Sequence, residues 1–412
     1  MELTKTKYQQ TEVGLIPEDW NIKTIGEIAQ VKGGGTPSTR INKYWNGTIN
    51  WFTPTEIGQS KYVLKSKRKI TFDGLNNSSA QLLPIGTILL TSRAGIGDLA
   101  ILKEESSTNQ GFQSLIANKD QDNEFLYYLM LTSEDKLLEK ASGSTFLEIS
   151  PNNVKSIQLL IPPLPEQKAI AEVLSDVDQL IQVTEQKLAK KRAIKQGAMQ
   201  KLLTPKEDWE SKTILELADS KKQLFDDGDW IESEHITSEG IRLIQTGNIG
   251  VGRYVEKESK RFIYESSFEK LNCKQLYEGD LLICRLAEPA GRACILPKLP
   301  YNKVITSVDV TVFRPRKEIA NRIFLMNVFS TSEWFKKVYE SVGGTTHKRI
   351  SRGSLGRIEI KLPSIETQTR IATILSDMDK EIELIEQQIA KYKTLKQGLM
   401  QELLTGKTRL TV

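Results

Sequence analysis

The amino-acid sequence predicts an α+β protein: two tandem mixed α/β domains, each followed by a long helix. The two helices are expected to pair as an antiparallel coiled coil with pseudo-two-fold symmetry. Three observations predict this architecture: a repeated segment, helical apolar spacing within it, and fainter matches ahead of both copies. Residues 170–204 and 371–405 are identical at 19 of 35 positions, which indicates an internal duplication.

Both copies of the repeat read as long helices. Apolar residues recur in steps of three and four, the spacing of a coiled-coil seam, and the seam changes phase near its end. A single helix of this kind would expose an apolar stripe to water, so the two are expected to bury it together. Because the second domain is compact, its exit lies near its entry and the second helix must run back along the first. The predicted seam residues are Ile170, Leu174, Val177, Ile181, Leu188, Ile371, Leu375, Met378, Ile382, Ile385 and Ile389.

Each repeat contains a glycine inside the helical pattern, Gly197 and Gly398. Glycine costs roughly 1 kcal/mol in a helix interior relative to alanine. Two interpretations remain open. The glycines are either tolerated kinks near a fraying end, or they allow close backbone approach to the paired helix or to a partner.

The repeats divide the chain into a first domain (1–160), a first spacer helix (161–204), a second domain (205–360), and a second spacer helix with a tail (361–412). Shorter matches extend the duplication into the domains. Residues 17–29, 83–102 and 143–150 resemble residues 206–218, 276–296 and 344–351. The runs "GTILLT", "DLLIC" and "DVTVF" predict strands, and residues 124–140 and 322–340 predict helices.

The domains have diverged more than the helices. Either the domains perform the same task on different ligands, or a heptad seam simply changes more slowly than a domain does. We favour the first interpretation.

Composition excludes several classes of protein. Of 412 residues, 39% are hydrophobic and 26% charged, and no apolar run reaches the length of a membrane span. The N-terminal residues lack the apolar core of a secretion signal, and Cys273, Cys284 and Cys294 lack metal-type spacing. We therefore expect a cytoplasmic protein with reduced thiols and no bound metal.

Charge points to a local binding patch at most. The net charge is +5, but residues 1–160 carry 17 basic and 17 acidic side chains, and residues 205–360 carry 25 and 23. A nucleic-acid surface must therefore be local rather than a field of the whole protein.

Motifs for catalysis are missing. The sequence has no phosphate-binding loop of the G-x-x-x-x-G-K-[ST] type and no methyltransferase motif pair. Its two histidines, His235 and His347, have no plausible nucleophile beside them in the sequence. We therefore expect a non-catalytic binding protein.

Several residues are candidates for binding nucleic acid. Residues 61–69 carry five basic side chains and no acid, and residues 347–357 carry four Arg or Lys and no acid; each could equally be a solvated face. Arg93 and Arg285 follow similar strands and suit guanine readout, although a structural ion pair is equally compatible. Asn109, Gln110 and Gln113 could read adenine or form a turn, and the turn is favoured slightly.

Taken in order, the motifs "GLIPEDW", "KGGGTPS", "NWFTPTEIG", "TSRAGIGDLAI", "TNQGF", "GSTFLEIS" and "PPLPEQKAIAEVL", with the duplicated "LKQGLMQELLTGK" ending, cover nearly the whole chain. The chain resembles the specificity subunit of a type I restriction–modification enzyme. The second domain departs from the pattern, because "SKKQLFDDGDWIES" stands where "KGGGTPS" is expected.

The resemblance implies two target recognition domains, each reading one part of a split, asymmetric double-stranded DNA sequence. It implies that the helices form the spacer and dock two modification subunits, which bring S-adenosylmethionine and methylate adenine. Two restriction subunits, using ATP and Mg, would complete the complex, while this chain would hold no cofactor. The predicted DNA-binding residues are Thr36, Lys43, Lys61, Lys67, Arg68, Ser92, Arg93, Asn109, Gln110, Arg285, Arg292, Lys348, Arg349 and Arg352. Among these, Lys61, Lys67, Arg68, Lys348 and Arg352 are expected to contact phosphates, and Arg93 and Arg285 bases.

Overall fold

The structure, a computed structural model, describes residues 7–11, 14–93, 95–143, 147–342 and 348–410. Two compact units make up the chain. Unit 1 comprises residues 1–185 with 388–412, and unit 2 comprises residues 186–387. Parts of three sequence motifs lie outside the described residues: Ala94, residues 144–146, and residues 343–347, which include His347.

Unit 1 contains two main sheets. Its strands are β1 Tyr8–Thr11, β2 Gly14–Pro17, β3 Asn21–Thr24, β4 Ala29–Gly33, β5 Trp45–Phe52, β6 Tyr62–Val63, β7 Arg68–Ile70, β8 Ile88–Leu90, β9 Leu99–Leu102, β10 Ser106–Thr108, β11 Gln113–Ala117 and β12 Gln158–Ile161. Its helices are α1 Ile25–Ile28, α2 Phe72–Asn76, α3 Asn123–Leu131, α4 Glu134–Glu139, α5 Pro151–Lys155 and the first part of α6 Leu164–Leu203. The larger sheet has the order β4-β11-β8-β9-β6, and the smaller has the order β10-β5-β7.

Unit 2 repeats much of this arrangement. Its strands are β13 Glu210–Thr213, β14 Phe225–Asp227, β15 Ile236–Thr237, β16 Ile241–Ile244, β17 Arg261–Ile263, β18 Leu281–Cys284, β19 Ala293–Ile295, β20 Val304–Thr306, β21 Val310–Phe313 and β22 Glu359–Leu362. Its helices are α7 Ile214–Leu217, α8 Glu265–Lys270, α9 Arg322–Val328, α10 Ser332–Glu340, α11 Arg352–Gly356 and the first part of α12 Ile365–Leu403. The sheet β14-β21-β18-β19 has the same strand order as β4-β11-β8-β9 of unit 1.

The strands predicted from "GTILLT", "DLLIC" and "DVTVF" are present as β8, β18 and β21, but each of the two predicted domain helices is broken in two. In unit 1 the break falls between α3 and α4, where the Thr132 and Ser133 hydroxyls both donate to the Leu129 carbonyl. In unit 2 the Thr331 hydroxyl accepts from the Trp334 amide and so caps the new helix α10. Hydroxyl side chains that bond nearby backbone groups compete with helix continuation, and this ends each first helix.

The helices α6 and α12 run antiparallel in both units, as predicted. In unit 1, Lys396 Nζ lies 2.7 Å from Asp178 Oδ1 and Lys393 Nζ lies 2.8 Å from Glu185 Oε1. Unit 2 has the same pairs with the helices exchanged. Lys195 pairs with Asp379, and Arg192 Nη2 lies 2.5 Å from Glu386 Oε1. An offset of 201 residues relates the members of the two sets, so the duplication includes the interhelical ion pairs.

The predicted seam is used in two ways. Ile170 and Leu174 are buried in the main core of unit 1, together with Leu403 of α12. Ile371 and Leu375 are buried in the main core of unit 2, together with Met199 and Leu203 of α6. Near the middle of the helices, Val177, Ile385 and Ile389 are buried, while Ile181, Leu188, Met378 and Ile382 are half-buried. The seam therefore joins each helix to a domain core as well as to the other helix.

Gly197 and Gly398 do not support close packing of the two helices. A Cβ added at either position would meet no atom within 4 Å. The residues three positions earlier, Ile194 and Leu395, are both 48% exposed. Each unit therefore presents one open glycine next to one exposed apolar side chain.

Candidate nucleic-acid interface

Three strands of the larger sheet in unit 1 end at one edge. Strand β11 pairs antiparallel with both β4 and β8, so the end of β4 at Gly33, the start of β11 at Gln113 and the residues after β8 meet there. Thr91 continues the pairing opposite Phe112. The loops that leave this edge hold five predicted residues: Thr36, Ser92, Arg93, Asn109 and Gln110.

Glycine lets two of these loops touch. A Cβ on Gly34 would lie 2.0 Å from the Asn109 carbonyl, and one on Gly35 would lie 2.4 Å from the Ala80 amide. Two buried tryptophans fix the loop that contains Gly34 and Gly35. Trp51 Nε1 donates to the Gly35 carbonyl at 2.9 Å, and Trp45 Nε1 donates to the Ser38 carbonyl at 3.1 Å. The "GGGTPS" segment is therefore a fixed loop and not a phosphate cradle.

The amide residues have different roles. The Thr36 hydroxyl donates to Gln110 Oε1 at 2.5 Å, and both side chains are exposed. Asn109 Oδ1 instead accepts from the Gly111 amide at 2.8 Å, which is the turn favoured from the sequence. Gln113 is buried in the sheet. Gln110 and Thr36 thus remain available to a ligand, while Asn109 shapes the loop.

Arg93 and Ser92 lie side by side but face differently. Ser92 is fully buried, and its amide donates to the Gly111 carbonyl at 2.8 Å. Arg93 is half-buried and bridges to Glu148 through its backbone. Within the described ranges, no carboxylate lies within ion-pair distance of the Arg93 guanidinium. Arg93 therefore has a guanidinium without an ion-pair partner among the described residues, at the same sheet edge as Thr36 and Gln110, whereas Ser92 belongs to the sheet.

Three further cations of unit 1 are exposed. The Arg68 guanidinium carbon lies 3.7 Å from the centre of the Trp45 ring. Arg68 therefore stacks on the same tryptophan that donates to the Ser38 carbonyl. Lys67 is exposed, and Lys43 is exposed with its Nζ 3.6 Å from Asp73 Oδ2. An exposed pair of this kind contributes little stability and leaves the ammonium free to exchange partners.

Lys61 requires a correction. Its side chain is only 11% exposed and pairs with Glu124, and its Nζ donates to Tyr128 Oη at 2.9 Å and to Ser175 Oγ at 2.8 Å. Burial lowers the pKa of Lys61 in spite of the adjacent Glu124 carboxylate. The sequence showed a run of five basic residues, but the first of them fastens α3 to α6 and does not face solvent.

The matching edge of unit 2 shows that Arg93 and Arg285 are not at equivalent positions, contrary to the prediction. Ile88 pairs with Ile101 in unit 1, and Leu281 pairs with Ile295 in unit 2, so Leu281 is equivalent to Ile88. Counting onward, Arg285 is equivalent to Ser92, and Leu286 is equivalent to Arg93. The backbone agrees, because Ile149 donates to Ser92 and Ile350 donates to Arg285. A shift of one residue along a strand turns a side chain to the opposite face.

Arg285 is accordingly buried, at 2% exposure. Its Nε lies 3.0 Å from Asp227 Oδ1, and its terminal nitrogens donate to the Ile350 and Val308 carbonyls. Burial lowers its pKa, with Asp227 opposing that shift. The predicted base contact of Arg285 is therefore not supported, because its guanidinium is buried and engaged within unit 2.

The other predicted cations of unit 2 are also engaged. Arg292 donates to the carbonyls of Thr246, Ile249, Leu286 and Pro289, so it ties two loops together. Arg349 Nε lies 3.1 Å from Asp309 Oδ1, and Arg352 pairs with Asp226. Lys348 alone of this group is exposed, near the Tyr339 ring.

Sequence reasoning missed Trp230, which is 68% exposed. Asp227 pairs with Thr311 as Gly33 pairs with Gln113, so Gly228 matches Gly34 and Trp230 matches Thr36. A Cβ on Gly228 would lie 2.4 Å from the Thr306 and Ser307 carbonyls, the same close approach as at Gly34. Aligning "DGDW" with "GGGT" would have revealed this tryptophan. At the three matched edge positions, unit 1 thus has Thr36, Arg93 and Gln110, and unit 2 has Trp230, Leu286 and Val308.

One histidine does lie beside a serine, contrary to the sequence interpretation. His235 Nδ1 is 2.9 Å from Ser267 Oγ, and its Nε2 is 3.4 Å from Glu234 Oε1. Both His235 and Ser267 are buried, so the pair is closed to a substrate and fastens α8 to the chain before β15. Among the described residues there is no group of three His, Cys, Asp or Glu placed to hold a metal, and no helix long and apolar enough to cross a membrane.

Comparison with known families agrees with the duplicated architecture. A family profile described as "Type I restriction modification DNA specificity domain" matches residues 17–191 and again residues 206–393. The chain belongs to this family. The resemblance seen in the sequence is thereby confirmed, and the two matched ranges fall on the two copies of the domain-and-helix repeat.

Known specificity subunits match the chain in part or in full. It is 42% identical over 182 residues to the type I MjaIX specificity subunit of Methanocaldococcus jannaschii, a match that covers 43% of this chain and 42% of that protein. It is 25% identical to the MjaVIII specificity subunit of the same organism, over 96% of this chain and 94% of that protein. The solved S subunit of a type I system from M. genitalium shares the fold, with a TM-score of 0.60 and 15% identity over 97% of this chain and 99% of that one.

Proposed function

We propose that this specificity subunit reads a bipartite, asymmetric sequence in double-stranded DNA and directs adenine methylation or cleavage by partner subunits. The observation that carries this proposal is the pair of equivalent sheet edges, one per unit, that share strand order and register but carry different side chains at the three matched positions. Two copies of one reader with different side chains suit two different half-sites. The chain itself would be non-catalytic.

In unit 1, Arg93 is the main candidate for base readout. Its guanidinium has no carboxylate within ion-pair distance in the described part of the chain, and a paired-donor fork matches the O6 and N7 acceptors of guanine. Gln110 and Thr36 can add contacts to an adjacent base edge. Lys43, Lys67 and Arg68 would contact phosphates and set the position of the domain.

In unit 2, the matched positions are apolar, so Trp230, Leu286 and Val308 would contact thymine methyl groups or sugar edges. Lys348 is an exposed phosphate contact. Lys257 is a second candidate, because it is exposed and its Nζ would lie 2.1 Å from a Cβ on Gly247, in the loop that Arg292 ties to the edge. Arg349 and Arg352 would have to exchange their aspartate partners for phosphates.

Two modification subunits would dock on the repeated helix ends. Unit 2 presents Ile194 and Gly197, and unit 1 presents Leu395 and Gly398, as equivalent exposed pairs. A glycine with open space beside an apolar side chain lets a partner helix approach the backbone closely, which would offset the cost of glycine in a helix. These partners would carry S-adenosylmethionine, and two restriction subunits would carry ATP and Mg, all in the cytoplasm.

Co-expression with the modification subunit encoded in the same genome tests the proposal. We expect the two to co-purify and the DNA of the host cell to carry methylated adenine in a split motif. Replacing residues 205–360 with the second domain of another specificity subunit should change one half of the motif only. A chain that binds no modification subunit, or a motif that changes in both halves, would contradict the proposal.

The spacer role has its own test. Each helix of about forty residues spans roughly 60 Å at 1.5 Å per residue. Inserting one helical turn in both helices should change the number of unspecified base pairs between the half-sites. An unchanged spacer in the methylated motif would show that the helices do not set that distance.

A further inference from the structure

The C-terminal tail of the chain occupies a groove in unit 1. After α12, Gly406 packs against Pro17 and Trp20, and Arg409 reaches two carboxylates. Arg409 Nε lies 2.7 Å from Glu166 Oε1, and its terminal nitrogens lie 2.8 and 2.7 Å from the two oxygens of Asp19. The Leu410 side chain packs against the core of unit 1. This groove of unit 1 is therefore filled by the chain's own residues 406–410.

The ion pairs of Arg409 shift the pKa values of the groups that take part in them. The hydrogen bond from Arg409 lowers the pKa of Asp19. The hydrogen bond from Arg409 to Glu166 raises the pKa of Arg409. Glu166 also accepts from the Trp20 indole nitrogen at 3.0 Å. Peptide, tryptophan and carboxylates thus form one hydrogen-bonded unit.

Unit 2 has an open groove in the equivalent place, with a volume of about 830 Å³. Trp209 and Asp208 line it at the positions of Trp20 and Asp19, and Leu202 and Ile371 at the positions of Leu403 and Ile170. Among the described residues of unit 2, no segment follows the path of the tail, because residues 204–209 connect α6 to β13. Trp209 thus retains the position of Trp20, but residues 406–410, which cover Trp20 in unit 1, have no counterpart among the described residues of unit 2.

Among the described residues, this groove has more unpaired basic side chains than the groove of unit 1. Its carboxylates are Asp208, Glu210 and Glu318, of which Glu210 pairs with Lys212 and Glu318 with Arg316. Thr367 replaces Glu166, Arg370 replaces Ala169, Lys201 replaces Glu402 and Lys206 replaces Pro17. Across the described part of the chain, Lys201, Lys206 and Arg370 have no carboxylate within ion-pair distance, and all three are exposed. The Trp209 indole N–H, which bonds a glutamate in unit 1, likewise has no acceptor among those residues. Within the described chain, three unpaired cations and a free donor outweigh one unpaired carboxylate, Asp208, and favour an anion over an arginine.

We propose that this groove of unit 2 binds a short acidic–apolar peptide segment of a partner protein. An acidic side chain would face Arg370 and Lys206, and an apolar side chain would cover Trp209 and Ile371 as Leu410 covers the core of unit 1. The tail of a second copy of this chain fits less well, because Arg409 would meet Asp208 but would find Thr367 in place of its second partner, Glu166. The assignment does not depend on DNA recognition by the sheet edges.

Two labelled peptides test the proposal on the full-length chain. One copies the tail, TGKTRL, behind a four-residue linker, and the other has glutamate in place of the arginine. Fluorescence anisotropy should show that the glutamate peptide binds about tenfold more tightly, with the difference shrinking at high salt. Arg370→Ala should reduce this preference, whereas Lys187→Ala, an exposed lysine of unit 2 outside the groove, should not.

Exchanging the charges of the groove tests whether they determine the peptide preference. The double substitution Thr367→Glu and Arg370→Ala copies Glu166 and Ala169 of unit 1, and it should reverse the preference in favour of the arginine peptide. An unchanged midpoint of thermal unfolding confirms that each variant folds. Failure of both peptides to bind, or an unreversed preference, would overturn the assignment. Displacement of the glutamate peptide by an unlabelled duplex would assign the groove to nucleic acid instead.

Discussion

The two sheet edges differ although the strands that carry them superimpose in order and register. In unit 1 the three matched positions are polar, and among the described residues no carboxylate lies within ion-pair distance of the arginine. In unit 2 they are apolar, and the nearby arginines pair with Asp226, Asp227 and Asp309. The same backbone thus presents hydrogen-bonding side chains in one unit and apolar side chains in the other. An arginine after a strand is half-buried without an ion-pair partner among the described residues, as Arg93 is, or buried in an ion pair, as Arg285 is, depending on a shift of one position.

The largest expected effect is on stability and separates the two arginines. Arg285→Ala removes a buried guanidinium and leaves Asp227 and two carbonyls without their partner, so we expect a loss on the order of 3 kcal/mol in the free energy of unfolding of unit 2. Arg93→Ala should change stability by less than about 0.5 kcal/mol. Urea unfolding measures both. Equal losses would place the two arginines in the same role.

Arg93→Ala should have its effect on DNA binding instead. Loss of a paired-donor contact to guanine costs roughly 1–3 kcal/mol for the cognate sequence. Binding to random duplex should barely change, because phosphate contacts remain. Titrating the complex with cognate and random duplexes gives both numbers, and the same loss on both would remove Arg93 from base readout. Leu286→Ala at the equivalent position of unit 2 is the matched control for the other half-site.

The apolar character of the unit 2 edge can be tested through Trp230. Trp230→Thr copies Thr36 of unit 1 and should reduce cognate affinity about tenfold, since an exposed tryptophan loses its apolar contact with the bases. The dependence of affinity on salt should stay the same, because no charge is removed. Full cognate affinity in this variant would show that Trp230 makes no contact. A changed salt slope would point to a rearranged phosphate contact.

The sequence predicts the architecture better than the contact residues, for a physical reason. A heptad seam and a duplicated segment are periodic, so α6, α12 and their antiparallel pairing follow from the spacing of apolar residues. Whether a cation such as Lys61 is free depends on Glu124, Tyr128 and Ser175, which approach it only in the folded chain. The equivalence of Arg285 to Ser92 could have been found in the sequence, by aligning onward from Gly86 and Gly279, which both adopt positive φ at the same turn.

Substitution of Lys67 has the smallest expected effect on DNA affinity, and it distinguishes phosphate contacts from base contacts within unit 1. Lys67→Ala removes one exposed phosphate contact, so affinity should fall by a similar small factor for cognate and random duplex. The slope of log affinity against log salt should decrease by about 1. Lys61→Ala is the matched control from the same basic run, because its ammonium is already bound to Glu124, Tyr128 and Ser175. That variant should leave the slope unchanged and lower the unfolding midpoint. A reduced slope in Lys61→Ala with no loss of stability would mean that the whole run faces DNA.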